Sequence, residues 1–170
     1  LVCPWTRKAI VDSGLSYNFP SVLFVQRGDI DELLSLQKLA YEREGRINHT
    51  NQIPPLMQTR EELHEEFVGT KRPMICLKMV QDRRIVGSVR AWENEDTAYI
   101  GCLFVHPHYQ KRGYGKKLLQ AIETCYCEHR FELFTGANSA DNISFYQRCG
   151  YHITRRTGPE EQPELIYFAK

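Results

Sequence analysis

Glycines and cationic side chains follow one strongly apolar run of this sequence. Residues 99–105 predict a buried strand, and residues 116–123 have the spacing of a helix. The loop between them carries Gly113 and Gly115. A strand, loop and helix in this order turn backbone N–H groups and the positive end of the helix dipole towards one point, where a phosphate or pyrophosphate binds well. Four cationic side chains lie near the same point, at Lys111, Arg112, Lys116 and Lys117.

This loop carries neither of the two common nucleotide-binding signatures. A P-loop requires G-x-x-x-x-G-K followed by Ser or Thr, whereas Gly115 is followed by Lys116 and Lys117, without that spacing or a hydroxyl. A dinucleotide-binding fingerprint requires G-x-G-x-x-G, and Leu118 occupies its third glycine position. The sequence therefore predicts a different ligand that contains a pyrophosphate.

A second motif lies downstream, on a segment that predicts a helix followed by a strand. It contains Tyr146 and, four residues later, Gly150 and Tyr151. Together with the loop Q-K-R-G-Y-G at residues 110–115, it resembles the GNAT family of N-acetyltransferases. Members of that family share a Q/R-x-x-G-x-G/A loop and a Tyr followed by Gly-Phe or Gly-Tyr. The resemblance covers residues 24–170, and its specific part is confined to residues 99–151.

The resemblance implies that the loop binds acetyl-CoA as a co-substrate and that no metal takes part. In the family, the end of the strand pairs with the pantetheine arm and the loop holds the pyrophosphate. Many relatives carry an Asn seven residues before the Tyr; Ser139 stands there, and Asn142, one helical turn before Tyr146, is the expected substitute. The cofactor-binding residues expected on this basis are Leu103, Phe104, Val105, Gln110, Lys111, Arg112, Gly113, Tyr114, Gly115, Lys116 and Asn142.

These expectations leave plainer interpretations open for several side chains. Lys111 and Arg112 are equally explained as a solvated run of charge, whereas Gly113 and Gly115 permit positive φ and close approach of the backbone to a ligand. The glycines therefore carry the stronger prediction.

Tyr146 is the general acid that the resemblance implies. When an amine attacks a thioester, CoA leaves as a thiolate. The ordinary pKa values of a thiol, about 8.5, and of a phenol, about 10, make proton transfer between them roughly balanced. Periodicity alone favours an aromatic side chain on the buried face of a helix, and the motif favours a position in the site.

The general base is left open by the sequence. Histone-type relatives place a Glu six residues before the strand-ending Val, but that residue here is Tyr99, which cannot take a proton from an ammonium near neutral pH. Glu93 on the neighbouring strand is the nearest acidic substitute, acting through water. A surface charge at the end of a hairpin explains Glu93 equally well. Tyr146 and Glu93 are the two catalytic candidates.

Capping patterns predict the first helices. Asp29 with Glu32 forms one capping box, and Thr59 with Glu62 forms another. The first helix is expected to run over residues 30–44 and to end at Gly45. The second helix is expected to end near residue 68. Between them, residues 47–56 are expected to be irregular, because two successive prolines block a helix.

Hairpins and one crossover define the predicted sheet. Short turns join three successive strands, which are therefore antiparallel. A helix then crosses to the next strand, and such a connection makes its two strands parallel. The sum is an α/β (α+β) domain with a mixed, mostly antiparallel sheet and helices on both faces, which is also the order of the single-domain acyl-CoA N-acyltransferase fold. The predicted strands are 21–27, 74–80, 84–92, 98–105, 131–135, 151–154 and 165–169, and the later helices are 113–128 and 141–149.

Length and composition predict one globular domain. The chain has 170 residues and a net charge of +1, so its charge gives no attraction to nucleic acid or to a membrane surface. No run approaches the roughly 18 apolar residues of a membrane-spanning helix, and no signal-peptide core is seen, so we expect a cytoplasmic protein. Residues 1–20 show no clear period and are expected to be an N-terminal extension before a domain at residues 21–170.

The six cysteines are expected to be reduced thiols, because a chain of this length builds its own core. Cys125, Cys127 and His129 cannot share one helix face, and no second ligand pair stands nearby. The sequence therefore predicts no metal site.

These observations favour an N-acetyltransferase that transfers an acetyl group from acetyl-CoA to a primary amine by direct attack. The acceptor is a small-molecule or peptide amine, bound near residues 44–56 and the last hairpin loop; the nearby carboxylates at residues 61, 62, 65 and 66 are expected to form a solvated helix face. Homodimers are common among relatives, and no residue here marks an interface. The alternatives are an acyl-CoA-binding sensor without turnover and a nucleotide-binding module that uses Gly113 and Gly115.

Overall fold

A computed structural model describes residues 20–68, 74–158, 160–161 and 163–170. The predicted N-terminal extension lies, apart from residue 20, outside the described residues. Two 3₁₀ turns, Arg27–Asp29 and Pro107–Tyr109, occur besides the main elements. In chain order these are β1 (Ser21–Phe24), α1 (Ile30–Ile47), α2 (Pro54–Met57), α3 (Arg60–Val68), β2 (Met74–Gln81), β3 (Arg84–Asn94), β4 (Thr97–Val105), α4 (Tyr114–Cys125), β5 (Arg130–Gly136), α5 (Ala140–Arg148), β6 (His152–Arg156) and β7 (Leu165–Ala169).

The described strands form one seven-stranded sheet in the order β1-β2-β3-β4-β5-β7-β6. All neighbouring pairs are antiparallel except β4 and β5, which are parallel as the crossover through α4 predicts. The parallel pair is short: it runs from Thr97 opposite Arg130 to Tyr99 opposite Glu132. Beyond Tyr99 the two strands separate, and the sheet opens into a gap.

Apolar clusters lie on both faces of the sheet. On one face, Leu118, Leu119 and Ile122 of α4 pack in a single cluster with buried side chains of the sheet such as Val89 and Phe168. The other cluster joins α1 and α3 to the sheet, through Ile30, Leu33, Leu36, Leu63, Ile85 and Phe104. The predicted mixed sheet with helices on both faces is therefore confirmed.

Helix α1 continues past Gly45, where the sequence predicted its end. Gly45 is buried, and a Cβ added there would lie 2.9 Å from the backbone oxygen of Thr50. The glycine therefore serves close packing of the following turn, and the helix ends at Ile47. Helix α4 is also shorter than predicted, since it ends at Cys125.

Two other predictions about helix starts were wrong. Pro54 and Pro55 begin the short helix α2, because proline fits the first helical positions, where no backbone N–H donor is needed. The Asp29 side chain does not cap α1: it accepts from the backbone N–H of Gln26 at 2.6 Å and from Lys78, while Glu32 accepts from the backbone N–H of Ile85 at 2.9 Å.

The second capping box is confirmed. The backbone N–H of Thr59 donates to the Glu62 carboxylate at 2.8 Å, and the backbone N–H of Glu62 donates to the Thr59 hydroxyl at 3.2 Å. None of the described helices is long and apolar enough to cross a bilayer.

Candidate active site

A cleft of about 2280 Å³ lies where β4 and β5 separate. Residues 100–105 of β4 line it on one side and residues 134–136 of β5 on the other. The loop before α4 and one side of α5 complete this part, and the C-terminal half of α1, α2 and α3 line the rest. One continuous space therefore joins the predicted cofactor loop to the elements expected to bind the acceptor.

The edge of β4 that faces the cleft is open. On its other side, Val105 pairs with Gly87 and Phe104 with Ser88 of β3, but the pairing with β5 ends at Tyr99. An open strand edge in a cleft can pair with an extended ligand through backbone hydrogen bonds. Leu103, Phe104 and Val105, which the sequence predicted to contact the cofactor, lie along this edge and line the cleft.

A β-bulge interrupts the same strand. The register between β3 and β4 shifts between Ser88 and Arg90, and Cys102 has a φ of 47°, in the left-handed region. A bulge leaves a residue of the strand out of the ladder and turns its backbone groups away from the partner strand. Backbone groups of β4 are therefore available inside the cleft next to the open edge.

The loop before α4 has the backbone shape of an anion site. Lys111 and Gly113 both have positive φ, 61° and 81°, and Gly113 is the residue from which α4 begins. This places the first N–H groups of α4, and the positive end of its dipole, at the end of the loop. Lys111 and Lys116 line the cleft beside them, so cationic side chains and backbone donors meet in one place.

The remaining residues of the loop have mixed roles. The Gln110 amide donates to the backbone oxygen of Val105 at 3.2 Å and ties the loop to β4. Gly115 lines the cleft in a helical conformation, and an added Cβ would be in ordinary contact with Phe145 at 3.5 Å, so positive φ is confirmed for Gly113 alone. The buried Tyr114 also lines the cleft.

Arg112 is the only cofactor-binding residue predicted from the sequence that does not line the cleft. Its guanidinium lies over the ring of Tyr109, 5.1 Å from the centroid.

Tyr146 lies on α5, is buried, and lines the cleft on the same side as the loop. Its ring contacts those of Phe145, Tyr151 and Phe168, with centroids between 5.2 and 6.0 Å apart. Burial, and then the charge of Glu44, raise the pKa of Tyr146 well above the ordinary value for a phenol. The side chain therefore stays protonated and can donate a hydrogen bond. Complete transfer of its proton to a thiolate is less favourable than the balance expected from ordinary pKa values.

Asn142 lies one turn before Tyr146 and also lines the cleft. Its amide donates to the hydroxyl of Thr135 on β5 at 3.2 Å. Ser139, at the position where relatives carry an Asn, is buried and points elsewhere: its hydroxyl donates to the carboxylate of Glu44 at 2.5 Å.

The structure does not bring Glu93 to the cleft. Glu93 pairs with Ala98, and Ala98 pairs with Phe131, so Glu93 lies where β4 and β5 are still joined. Its carboxylate is 3.2 Å from the imidazole of His129. Tyr99, at the position of the usual base, stacks against Trp92 with centroids 6.0 Å apart.

A buried arginine that the sequence analysis did not single out lies at the wall of the cleft. Arg90 is 5% exposed, and its guanidinium donates to Glu66, Gln37, Gln58 and the sulfur of Cys102. It therefore ties α1 and α3 to the bulge of β4. A charged residue inside the apolar run of β3 was the available signal, because an isolated buried charge is too costly without partners.

The acceptor half of the cleft is acidic. Its lining includes Glu44 of α1, and Glu61, Glu62, Glu65 and Glu66 of α3. The sequence favoured a solvated helix face for the α3 carboxylates; they are exposed, and they face the cleft. Among the described residues, no three His, Cys, Asp or Glu side chains form a group able to hold a metal ion.

Comparison with known proteins agrees with this geometry. Residues 31–151 match the sequence model of the Acetyltransferase (GNAT) family. The protein UPF0157 protein YqkA of Bacillus subtilis (strain 168) is 27% identical over 124 residues, which are 71% of this chain and 34% of that protein. The chain thus spans about a third of the length of this curated relative.

Solved structures share the fold at low sequence identity. The PaiA N-acetyltransferase of Thermoplasma acidophilum, solved in complex with coenzyme A, is 15% identical and superposes with a TM-score of 0.78 over 89% of this chain and 98% of that one. The ribosomal-protein-S18-alanine N-acetyltransferase of Escherichia coli is 15% identical, with a TM-score of 0.69 over 89% and 92% of the two chains. An acetyltransferase of Thermus thermophilus, also 15% identical, gives 0.71 over 92% and 99%.

Proposed function

Because the chain belongs to the GNAT family of acetyltransferases, we propose that it transfers the acetyl group of acetyl-CoA to a primary amine. Both substrates bind in the cleft between β4 and β5, and the amine attacks the thioester directly. The acceptor is a small molecule or a peptide with a free amine.

One observation carries this proposal: the open edge of β4, the loop at the start of α4 and the phenol of Tyr146 lie in the same cleft. An open strand edge suits the amide-bearing arm of CoA. Backbone N–H groups beside Lys111 and Lys116 suit its pyrophosphate. The fit therefore extends over two chemically different parts of one ligand.

The residues divide the work of the reaction. Acetyl-CoA supplies an activated acyl group, and the chain binds it, orients it and stabilises the charges that develop. Backbone N–H groups near the β4 bulge stabilise the negative charge on the carbonyl oxygen. Tyr146, held protonated by burial, donates a hydrogen bond to the sulfur as it leaves.

The activity is tested by the release of free thiol from acetyl-CoA with a panel of primary amines. A suitable panel contains spermidine, lysine, benzylamine and a peptide with an N-terminal alanine. The proposal predicts amine-dependent thiol release above the rate of the amine-free sample, together with an acetylated amine detected by mass spectrometry.

The same assay separates the transferase from an acyl-CoA sensor. A sensor binds acetyl-CoA but releases no thiol with any amine. Binding without amine-dependent release would therefore contradict the transferase and leave the sensor as the better interpretation.

A further inference from the structure

We propose that Glu44 of α1 is the carboxylate that holds the acceptor amine in the cleft and takes the proton from its nitrogen. This role rests on the proposed acetyl transfer, for which the sequence left the base open. The argument comes from the position of Glu44, from the groups that fix it, and from the other carboxylates of the cleft.

Glu44 lies near the C-terminal end of α1, half-buried, in the lining of the cleft. The hydroxyl of Ser139 donates to its Oε2 atom at 2.5 Å. Ser139 is 2% exposed and is the residue from which α5 begins, the helix that carries Tyr146. The hydrogen bond therefore fixes a carboxylate of the acceptor half against the element that bears the predicted acid.

Asn48 strengthens this connection. Its amide nitrogen donates to the backbone oxygen of Glu44 at 2.9 Å and to the hydroxyl of Ser139 at 3.1 Å. One amide therefore contacts both partners of the Glu44–Ser139 hydrogen bond. A carboxylate held in this way loses little further conformational freedom when an amine binds, which is what preorganised catalytic groups require.

The charge of Glu44 is felt by two phenols of the cleft. After burial, Glu44 is the largest cause that raises the pKa of Tyr146, and it is also among the causes that raise the pKa of Tyr41. Since the interaction of two charges falls with distance, the carboxylate lies close to both hydroxyl groups. A proton acceptor and a hydrogen-bond donor thus share one part of the cleft.

Most other carboxylates of the cleft already have a partner or lie at its rim. Glu66 is paired with the buried Arg90, and Asp141 with Arg43 at 2.7 Å. Glu62 caps the start of α3. Two further carboxylates, Glu61 and Glu65, are exposed on α3.

Glu93, the candidate from the sequence, lies outside the cleft lining and beside His129. Glu44 is therefore the carboxylate best placed to reach an amine that also reaches the open edge of β4.

The step conserves atoms and charge. The lone pair of the neutral amine forms a bond to the thioester carbonyl carbon, and the bond between that carbon and sulfur breaks. The proton lost by nitrogen passes to Glu44, and the leaving sulfur, first stabilised by Tyr146, is protonated to the free thiol as Glu44 gives its proton back. The products are the N-acetyl amine and CoA.

The test compares Glu44→Gln with Glu42→Gln, an exposed residue of the same helix that does not line the cleft. Glutamine keeps the size of the side chain and can still accept from Ser139. With spermidine, lysine, benzylamine and the alanyl peptide as probes, amine-dependent thiol release by Glu44→Gln is expected to fall by about 10²-fold or more. Glu42→Gln should match the unmodified protein, and both variants should bind acetyl-CoA normally by calorimetry.

Rescue by a small carboxylate separates a proton acceptor from a structural role. Formate can enter the space left by Glu44→Ala and restore part of its thiol release, which it would not do if Glu44 only supported the fold. Unchanged release by Glu44→Gln, a loss in Glu93→Gln instead, or an inactive Glu44→Ala that formate does not restore would overturn the assignment. An unmodified protein that binds acetyl-CoA but never releases thiol would overturn the transferase itself, and this role with it.

Discussion

Gly136, the last residue of β5, provides a sharp test of how the cleft is held together. A Cβ added at this position would lie 2.3 Å from Oδ1 of Asn48 and 2.6 Å from its Cγ and Nδ2 atoms. Contacts below about 3 Å do not occur between such atoms, so Asn48 must move in Gly136→Ala. Its amide is held by hydrogen bonds to the backbone of Glu44 and to Ser139, and moving it breaks both.

The expected cost follows from these contacts. Each of the two hydrogen bonds contributes about 1 kcal/mol net, and overpacking of a tight site costs roughly 1–3 kcal/mol. We expect Gly136→Ala to lower the free energy of unfolding by about 2 kcal/mol, which corresponds to about 4–8 °C in Tm for a chain of this size.

Chemical and thermal denaturation measure this change, with Gly28→Ala as the matched control. No atom lies within 4 Å of a Cβ added at Gly28, so that variant should stay within about 0.5 kcal/mol of the unmodified protein. Asn48→Ala removes the obstacle, and the cost of Gly136→Ala in that background should nearly vanish, a coupling of about 1–2 kcal/mol. Additive effects of the two substitutions, or equal stabilities of Gly136→Ala and Gly28→Ala, would refute the reasoning.

Three further predictions concern the catalytic phenol, the buried cation and the loop. Tyr146→Phe should lower amine-dependent turnover by about 10²-fold with unchanged acetyl-CoA affinity by calorimetry, and full turnover would remove its role. Arg90→Met should lower the unfolding free energy by about 3 kcal/mol in urea, because Gln37 loses a buried partner while Glu66 is 39% exposed; stability equal to the unmodified protein would contradict this. Burial, and then His108, lower the pKa of His106, so the stability that its neutral ring contributes is present above about pH 6.5 and is lost as the pH falls through the lowered pKa. His106→Asn should therefore flatten the fall in unfolding free energy from pH 7.5 to 5, and an unchanged fall would show that other groups cause it.

The parts of this protein that depend on neighbouring residues in the chain could be predicted from its sequence. The strand, loop and helix around Gly113 are one local unit, and the helix that carries Tyr146 follows from periodicity and its motif. The capping box at Thr59 and Glu62 is likewise complete within four residues. Such features need no knowledge of what packs against them.

Contacts between distant parts of the chain could not be predicted. Glu44 and Ser139 are 95 positions apart, and Arg90 is 53 positions from Gln37, so neither contact leaves a pattern in one sequence. Glu93 illustrates the same difficulty: proximity to the strand end suggested a base, but its position depends on where β4 and β5 separate, which only the sheet register shows. Gly45 looked like a helix stop because its tight packing against Thr50 is not visible in sequence.

Calorimetric titration of the unmodified protein with acetyl-CoA, in parallel with Mg-ATP, tests most directly that this cleft is an acetyl-CoA site. The open edge of β4 and the loop at Gly113 predict saturable binding of one acetyl-CoA per chain and no binding of Mg-ATP. The absence of acetyl-CoA binding, or binding of Mg-ATP alone, would contradict the account of the cleft and with it the proposed transfer.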